Sequence, residues 1–180
     1  MPELKRIFDI IVSTTGLVRL STLLILVWLI AKLPSPAPAI FAQTLIGRYD
    51  RRFTCYKFRT MYAGTPQRAT HEVGNDAVTP QGRILRKYKI DELPQLWNVL
   101  RGEMSLVGPR PCLPVQKELI AERRRRGVYE LRPGITGLAQ TQGVDMSDSR
   151  KLAERDAEYV RIRSLALDLQ LICKTVFQAP

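Results

Sequence analysis

Two adjacent carboxylates, Asp91 and Glu92, stand among cations: Arg86, Lys87 and Lys89 just before them, Arg110 and Arg132 further along the chain. Leu93, Leu96, Trp97 and Leu100 recur at helical spacing, and Gly102 ends the run. The spacing predicts a helix starting near Asp91, with Pro94 tolerated in its first turn and Asp91 at the N-cap. Two readings follow. In the plainer one Asp91 only caps the helix, worth about 1 kcal/mol. In the other, a carboxylate kept ionised at a helix N-terminus, beside amides able to bind phosphate, attacks phosphorus and forms an acyl-phosphate. Glu92 would then hold a divalent ion or take a proton.

Arg110 lies in Gly108-Pro109-Arg110-Pro111, where the prolines restrict the backbone. A stiff loop presenting a guanidinium suits bidentate phosphate binding, though a solvated arginine beside a turn has the same sequence. Lys57 and Arg59 alternate with Tyr56 and Phe58, as a polar strand face or as phosphate contacts.

Composition narrows the chemistry. The 180 residues carry 28 Lys/Arg against 17 Asp/Glu, a formal charge of +11, which favours polyanionic partners. His71 is the one histidine, so a site needing two His ligands cannot be built within one chain. Cys55, Cys112 and Cys173 lie far apart with no CxxC, and reduced thiols facing the cytosol are expected. No Walker loop, GxGxxG after a strand, RNP-like motif, zinc finger or basic zipper appears, so nucleic acid is not the expected partner. The Arg123 to Arg126 run reads as a solvated helix end, able to attract anionic lipid if a membrane is close.

The elements that must position these residues form an α+β, mostly helical arrangement. Residues 10–31 are uncharged except for Arg19, a length of about 33 Å as a straight helix and enough for a bilayer core of about 30 Å. Arg19 would then sit near the bilayer centre at a cost of about 2.5–3.5 kcal/mol. Lys5 and Arg6 on one side, Lys32 and Arg48 on the other, give no orientation by the positive-inside rule. A re-entrant helix bent near residues 19–22 satisfies both flanks, and membrane embedding of residues 1–33 is expected, with 34–180 as the catalytic domain. Pro34, Pro36 and Pro38 punctuate the exit. Residues 39–43 and 52–59 are predicted strands of a hairpin around Gly47-Arg48-Tyr49-Asp50, and 63–80 a polar loop. Further helices are predicted at 82–89, 115–126, 147–163 and 165–177, with loops or turns at 105–111 and 132–137.

Lys5-Arg6-Ile7-Phe8-Asp9, Tyr56-Lys57-Phe58-Arg59-Thr60-Met61, the block from Asp91 through Leu106-Val107-Gly108-Pro109-Arg110-Pro111, and Arg132-Pro133-Gly134-Ile135-Thr136-Gly137 together resemble the monotopic phosphoglycosyl transferases, the bacterial sugar transferases, of the small catalytic-core type. The resemblance covers nearly the whole chain in order. It implies transfer of a sugar-1-phosphate from a UDP-sugar to a polyprenyl phosphate such as undecaprenyl phosphate, with release of UMP. It implies Asp91 as nucleophile and Glu92 linked to Mg2+, with Asp91 and Glu92 as metal-site residues. Arg86 and Arg110 would contact phosphate, with Lys57 and Arg132 as further carry-overs. It implies a bacterial inner membrane location on the cytoplasmic face, lipid contact, and interfacial amphipathic helices. A homodimer remains open, as does an inactive membrane-anchored scaffold of the same fold. The chain departs from the family in having Ser21-Thr22 where Ser-Pro is common at the helix bend, Thr44 where a basic residue usually follows the glutamine matched by Gln43, and Leu138 in place of a tryptophan.

Overall fold

In a computed structural model that describes residues 2–32, 37–65 and 75–177, the N-terminal apolar run forms two helices. Helix α1 (Pro2–Arg19) and helix α2 (Ser21–Lys32) meet at Leu20 with a bend of 65°. No proline forces this bend. Leu20 N–H still bonds Gly16 C=O at 2.9 Å, and Leu24 N–H bonds Leu20 C=O at 2.8 Å, so little backbone hydrogen bonding is lost. The bend lets each helix lay a different stripe on the rest of the chain. Asp9, Ser13 and Gly16, at i, i+4 and i+7, form the inner face of α1, and a Cβ at Gly16 would come within 3.2 Å of Leu96. Val27 and Ala31 form that of α2. Among the described residues no single helix is long and apolar enough to cross a membrane, whereas the bent pair together has that length and composition.

Strands β1 (Ile40–Ile46) and β2 (Arg52–Phe58) pair antiparallel from Ile40 opposite Phe58 to Ile46 opposite Arg52. The hairpin is as expected, with β1 ending three residues later because Leu45 and Ile46 are buried in the core. Part of the expected polar loop, residues 66–74 with His71, lies outside the described residues, as do Pro34 and Pro36.

Helix α3 (Pro80–Lys87) starts at Thr79, whose hydroxyl accepts from Gly82 N–H at 2.9 Å. The expected helix from Asp91 is not continuous. Lys89 is left-handed (φ 56°), Ile90–Glu92 form one 3-10 turn, and helix α4 runs only over Gln95–Leu100. A local reason is that an N-cap at Asp91 would accept from the amide of residue 93 or 94, and Leu93 N–H is bonded to Ile90 O at 3.2 Å while Pro94 has no N–H. Neither the 3-10 turn, whose N-cap is Lys89, nor α4, whose N-cap is Pro94, has a side-chain cap, and among the described residues Asp91 makes no capping bond.

Two segments expected to be loop and turn instead pair as a parallel two-stranded sheet, β3 (Ser105–Val107) with β4 (Gly134–Thr136). The sheet depends on glycines that admit neighbouring backbone. A Cβ on Gly134 would lie 2.1 Å from Gly108 N, and one on Gly137 would lie 2.3 Å from Gly108 O. Helices α5 (Lys117–Arg125), α6 (Leu138–Thr141), α7 (Ser149–Ile162) and α8 (Leu165–Phe177) complete the chain. The solvated helix end expected at residues 123–126 needs correction at its first member: Arg123 is buried at the α5–α7 contact against Asp156.

The Lys5-Arg6-Ile7-Phe8-Asp9 motif is a set of anchors. Arg6 donates to the C-terminal carbonyls of α4, Val99 O at 2.6 Å and Leu100 O at 2.9 Å, where cations favour the helix dipole. Asp9 accepts from Ser105 Oγ at 2.8 Å and Leu106 N–H at 3.1 Å, holding β3. Lys5 pairs at 2.5 Å with Asp168 of α8, which also accepts from Tyr159 of α7 at 2.6 Å. Asp168 thus ties three helices, and Asp168→Ala would leave two donors without their acceptor. The expected outcome is a loss of about 2–4 kcal/mol in unfolding free energy, measured by denaturant titration in detergent.

Candidate active site

The approach of α3 to β2 sets one side of the site. A Cβ on Gly82 would lie 2.2 Å from Thr60 O, so only glycine permits this contact. One turn later Arg86 Nε donates to Thr60 Oγ1 at 2.9 Å. The other side is set by Asn98, a buried amide on α4. It donates to Thr54 O and Glu103 Oε2, both at 2.7 Å, and accepts from Tyr56 N–H at 3.1 Å. Three bonds from one side chain fix α4 against β2 and hence the Asp91-Glu92 turn against Lys57.

Within that frame Glu92 is 8% exposed. Its Oε1 accepts from Lys57 Nζ at 3.0 Å and from Arg110 at 2.5 Å. Arg110 also donates to Gln140 Oε1 at 3.1 Å. Burial alone would push the Glu92 carboxyl up, but Arg110 and Lys57 outweigh it and hold the group down at about 2. Asp91 stands in the opposite condition. No described residue donates a hydrogen bond to its carboxylate, and burial together with the neighbouring Glu92 charge raises it to about 6, against the pull of Lys57, Arg86 and Arg110. Adjacent carboxylates driven apart in this way are suited to different roles. The Asp91 carboxyl is expected to titrate near pH 6 in metal-free protein, as a 13C resonance absent from Asp91→Asn. Cys55, near Lys57, Glu92 and Arg110, is buried and its thiol is raised by that burial to about 11, which makes it a poor nucleophile.

Asp91, Glu92, Lys57, Arg86 and Arg110 line one cavity of about 620 Å³, together with Gln43, Thr60, Tyr62, Gln140 and Met146. Of the cations named from sequence around Asp91 and Glu92, Lys87 and Arg132 do not line this cavity. Arg132 lies elsewhere. Its Nε donates to Gly102 O at 2.8 Å, on the side where Arg6 and Arg48 lie, so it buttresses the corner between α4 and β3. Thr60, Asn98, Gln140 and Asp156 carry no assigned role in the sequence reading, and Arg123 enters it only as a member of a solvated run. A signal for the last two existed: Asp156 falls four residues after Leu152 and three before Tyr159, and Arg123 four after Leu119, so each is a charge on an apolar helix stripe.

The donor set fits a magnesium ion in a limited sense. Asp91 offers unbonded oxygens beside Glu92, but no group of three His, Cys, Asp or Glu side chains able to hold a metal occurs among the described residues. Magnesium commonly takes one or two carboxylates and completes its shell with water and substrate phosphate.

The model of the family described as bacterial sugar transferase matches residues 2–179. A UDP-glucose:undecaprenyl-phosphate glucose-1-phosphate transferase of Caulobacter vibrioides is 40% identical over 181 residues, covering 96% of this chain and 68% of the relative. The exopolysaccharide production protein PSS of Rhizobium leguminosarum is 39% identical, over 96% of this chain and 93% of its own. An undecaprenyl-phosphate glucose phosphotransferase of Komagataeibacter xylinus is 41% identical, over 96% of this chain but 35% of its own. With the resemblance read from its motifs borne out along nearly its entire length, the chain belongs to the bacterial sugar transferase family.

Proposed function

We propose that this protein transfers a sugar-1-phosphate from a UDP-sugar to undecaprenyl phosphate or a similar polyprenyl phosphate, releasing UMP, as the first membrane step in assembling a glycan. The observation that carries the reading is the Asp91 carboxylate, without a hydrogen bond from any described residue and ringed by Lys57, Arg86 and Arg110 in a single cavity. A nucleophile for phosphorus needs an available oxygen, and a diphosphate needs cations on its non-bridging oxygens.

The reaction runs in two displacements. An Asp91 oxygen bonds to the phosphorus that carries the sugar, the bond from that phosphorus to the bridging oxygen breaks, and UMP leaves with the electron pair. A phosphate oxygen of the lipid then bonds to the same phosphorus, the Asp91 oxygen leaves as carboxylate, and a polyprenyl diphosphate sugar results. Arg86 and Arg110 bind the phosphates, and Arg110 can do so once the donor's charge competes with Glu92 for it. Lys57 remains on Glu92. A carboxyl held at about 2 is a weak base, so Glu92 serves to orient cations and to share a metal with Asp91 rather than to carry protons. When bound there, magnesium supplies positive charge that offsets the diphosphate and makes UMP a better leaving group.

The acceptor's chemistry bears on location. A polyprenyl chain stays in the bilayer, so Asp91 must lie at headgroup depth on the cytoplasmic side, where nucleotide sugars are found. The bent α1–α2 pair presents Leu4, Ile7, Ile11, Val18, Ile25 and Leu26 outward, apolar side chains suited to embedding in one leaflet. Exposed Ile84 of α3, Tyr88 just after it, Trp97 of α4 and Phe177 of α8 would rest in the interface. The test is release of UMP by purified protein from a panel of UDP-sugars with undecaprenyl phosphate. Product should appear with at least one sugar and depend on the lipid for continued turnover; no release with any of them would refute the proposal.

A further inference from the structure

An ion pair that the transfer chemistry leaves unused lies behind Arg110. Arg123 of α5 and Asp156 of α7 are 1% and 3% exposed. Arg123 Nε donates to Asp156 Oδ2 at 2.8 Å, with Nη2 at 2.7 Å from the same oxygen. Its remaining arm, Nη1, donates to the main-chain carbonyl of Arg110 at 2.9 Å. Around the pair, α5 and α7 meet through apolar side chains: Leu119, Leu152 and Ala153 pack with Ile46 and Cys112.

Stability does not account for charges in such a place. Burying two ions costs desolvation that their attraction often fails to repay, and well-packed apolar replacements are frequently neutral or stabilising. An apolar side chain of similar volume would fill the space, but it could not donate to the Arg110 carbonyl. That carbonyl belongs to a loop poor in its own donors, because the flanking Pro109 and Pro111 have no N–H. The loop is held at Pro109, whose carbonyl accepts from Gly134 N–H at 2.9 Å, and then at Arg110 by Arg123. Asp156 borders the cavity, yet its carboxylate is spent on Arg123.

We infer that Arg123 and Asp156 are a positioning pair: Asp156 orients Arg123, and Arg123 fixes the main chain of Arg110 so that its guanidinium meets the donor's phosphate. The inference rests on the phosphoryl-transfer reading above. Neither residue touches the reacting atoms, so their effect must pass through Arg110.

Three variants test it. Arg123→Asp with Asp156→Arg restores a buried pair but moves the cation to α7, away from the Arg110 carbonyl. Arg123→Met with Asp156→Leu keeps the volume and removes both charges. Arg123→Lys keeps a cation opposite Asp156 without the planar fork that bridges it to the loop, and it serves if both double variants unfold. Folded variants, judged by thermal melting in detergent, should lose about 10- to 100-fold in kcat/KM for the UDP-sugar, the size expected from a misplaced binding group. In an Arg110→Ala background the same changes should cost less than about threefold, since residues acting through one group are not additive. Undiminished kcat/KM in a folded variant, or an equal loss in the Arg110→Ala background, would overturn the assignment. If the wild type releases no UMP from any UDP-sugar, the functional reading is what has failed. The positioning claim is then read from the Arg110 Nε–H resonance of 15N-arginine protein, which should shift and broaden in the variants; an unchanged resonance contradicts it.

Discussion

Asp91→Asn is expected to lower UMP release by about 10⁴-fold or more while leaving the fold intact. The size follows from the role. Removing the nucleophile of a two-step transfer leaves only binding and electrostatic assistance to direct attack, and losses of that order or larger accompany removal of covalent nucleophiles elsewhere. The neutral amide is nearly isosteric, and Asp91 makes no capping bond or protein hydrogen bond among the described residues, so little stability should go with it. One negative charge is also removed from beside Glu92, which relieves repulsion. A variant that melts at or above the wild-type temperature and yet is inactive would separate chemistry from folding. Retained turnover at even a few per cent would show that Asp91 is not the nucleophile.

Arg110→Ala is expected to cost about 10²- to 10³-fold in kcat/KM, from two effects that add. One is the loss of a guanidinium placed to meet developing charge on phosphate. The other is that Glu92, buried and now held by Lys57 alone, loses the partner that contributes most to keeping it ionised. Arg110→Lys should recover part of the activity, because it returns the charge without the fork that spans Glu92 and Gln140. Steady-state kinetics across donor concentrations check this: the main effect should be on kcat/KM, with Arg132→Ala, outside the cavity, within about threefold of wild type.

Much of this arrangement follows from local patterns. Period-two alternation and a Gly-containing turn foretell the β1–β2 hairpin, and α5, α7 and α8 end within two residues of the helices expected at 115–126, 147–163 and 165–177. The bend at Leu20 was likewise expected from the Arg19 charge in an apolar run. What the sequence concealed is long-range. The β3–β4 sheet joins segments about 30 residues apart, and each strand has only three residues, too few for periodicity to register. Its real signature is the glycines at 108, 134 and 137, which read as turn residues until their mutual close approach is known. The cap expected at Asp91 does not form: of the two amides it could use, Leu93 N–H bonds Ile90 O and Pro94 has none. The carboxylate is thereby left unspent among the described residues. Arg132 stands apart from the other residues that the motifs mark: its Nε donates to Gly102 O, and it does not line the cavity. The Arg123 to Arg126 run shows that a string of like charges can hide a buried member; neighbouring Arg124 and Arg125 are exposed as expected.

The most direct test withholds the lipid. Purified protein mixed with an accepted UDP-sugar and magnesium, but no polyprenyl phosphate, should release one equivalent of UMP in a burst and stop. Intact mass should then rise by one sugar-phosphate, with the adduct mapping to the peptide that contains Asp91 and disappearing when undecaprenyl phosphate is added. Turnover with lipid present but neither burst nor adduct without it would contradict a covalent enzyme intermediate, and an adduct on any other residue would contradict the assignment of Asp91.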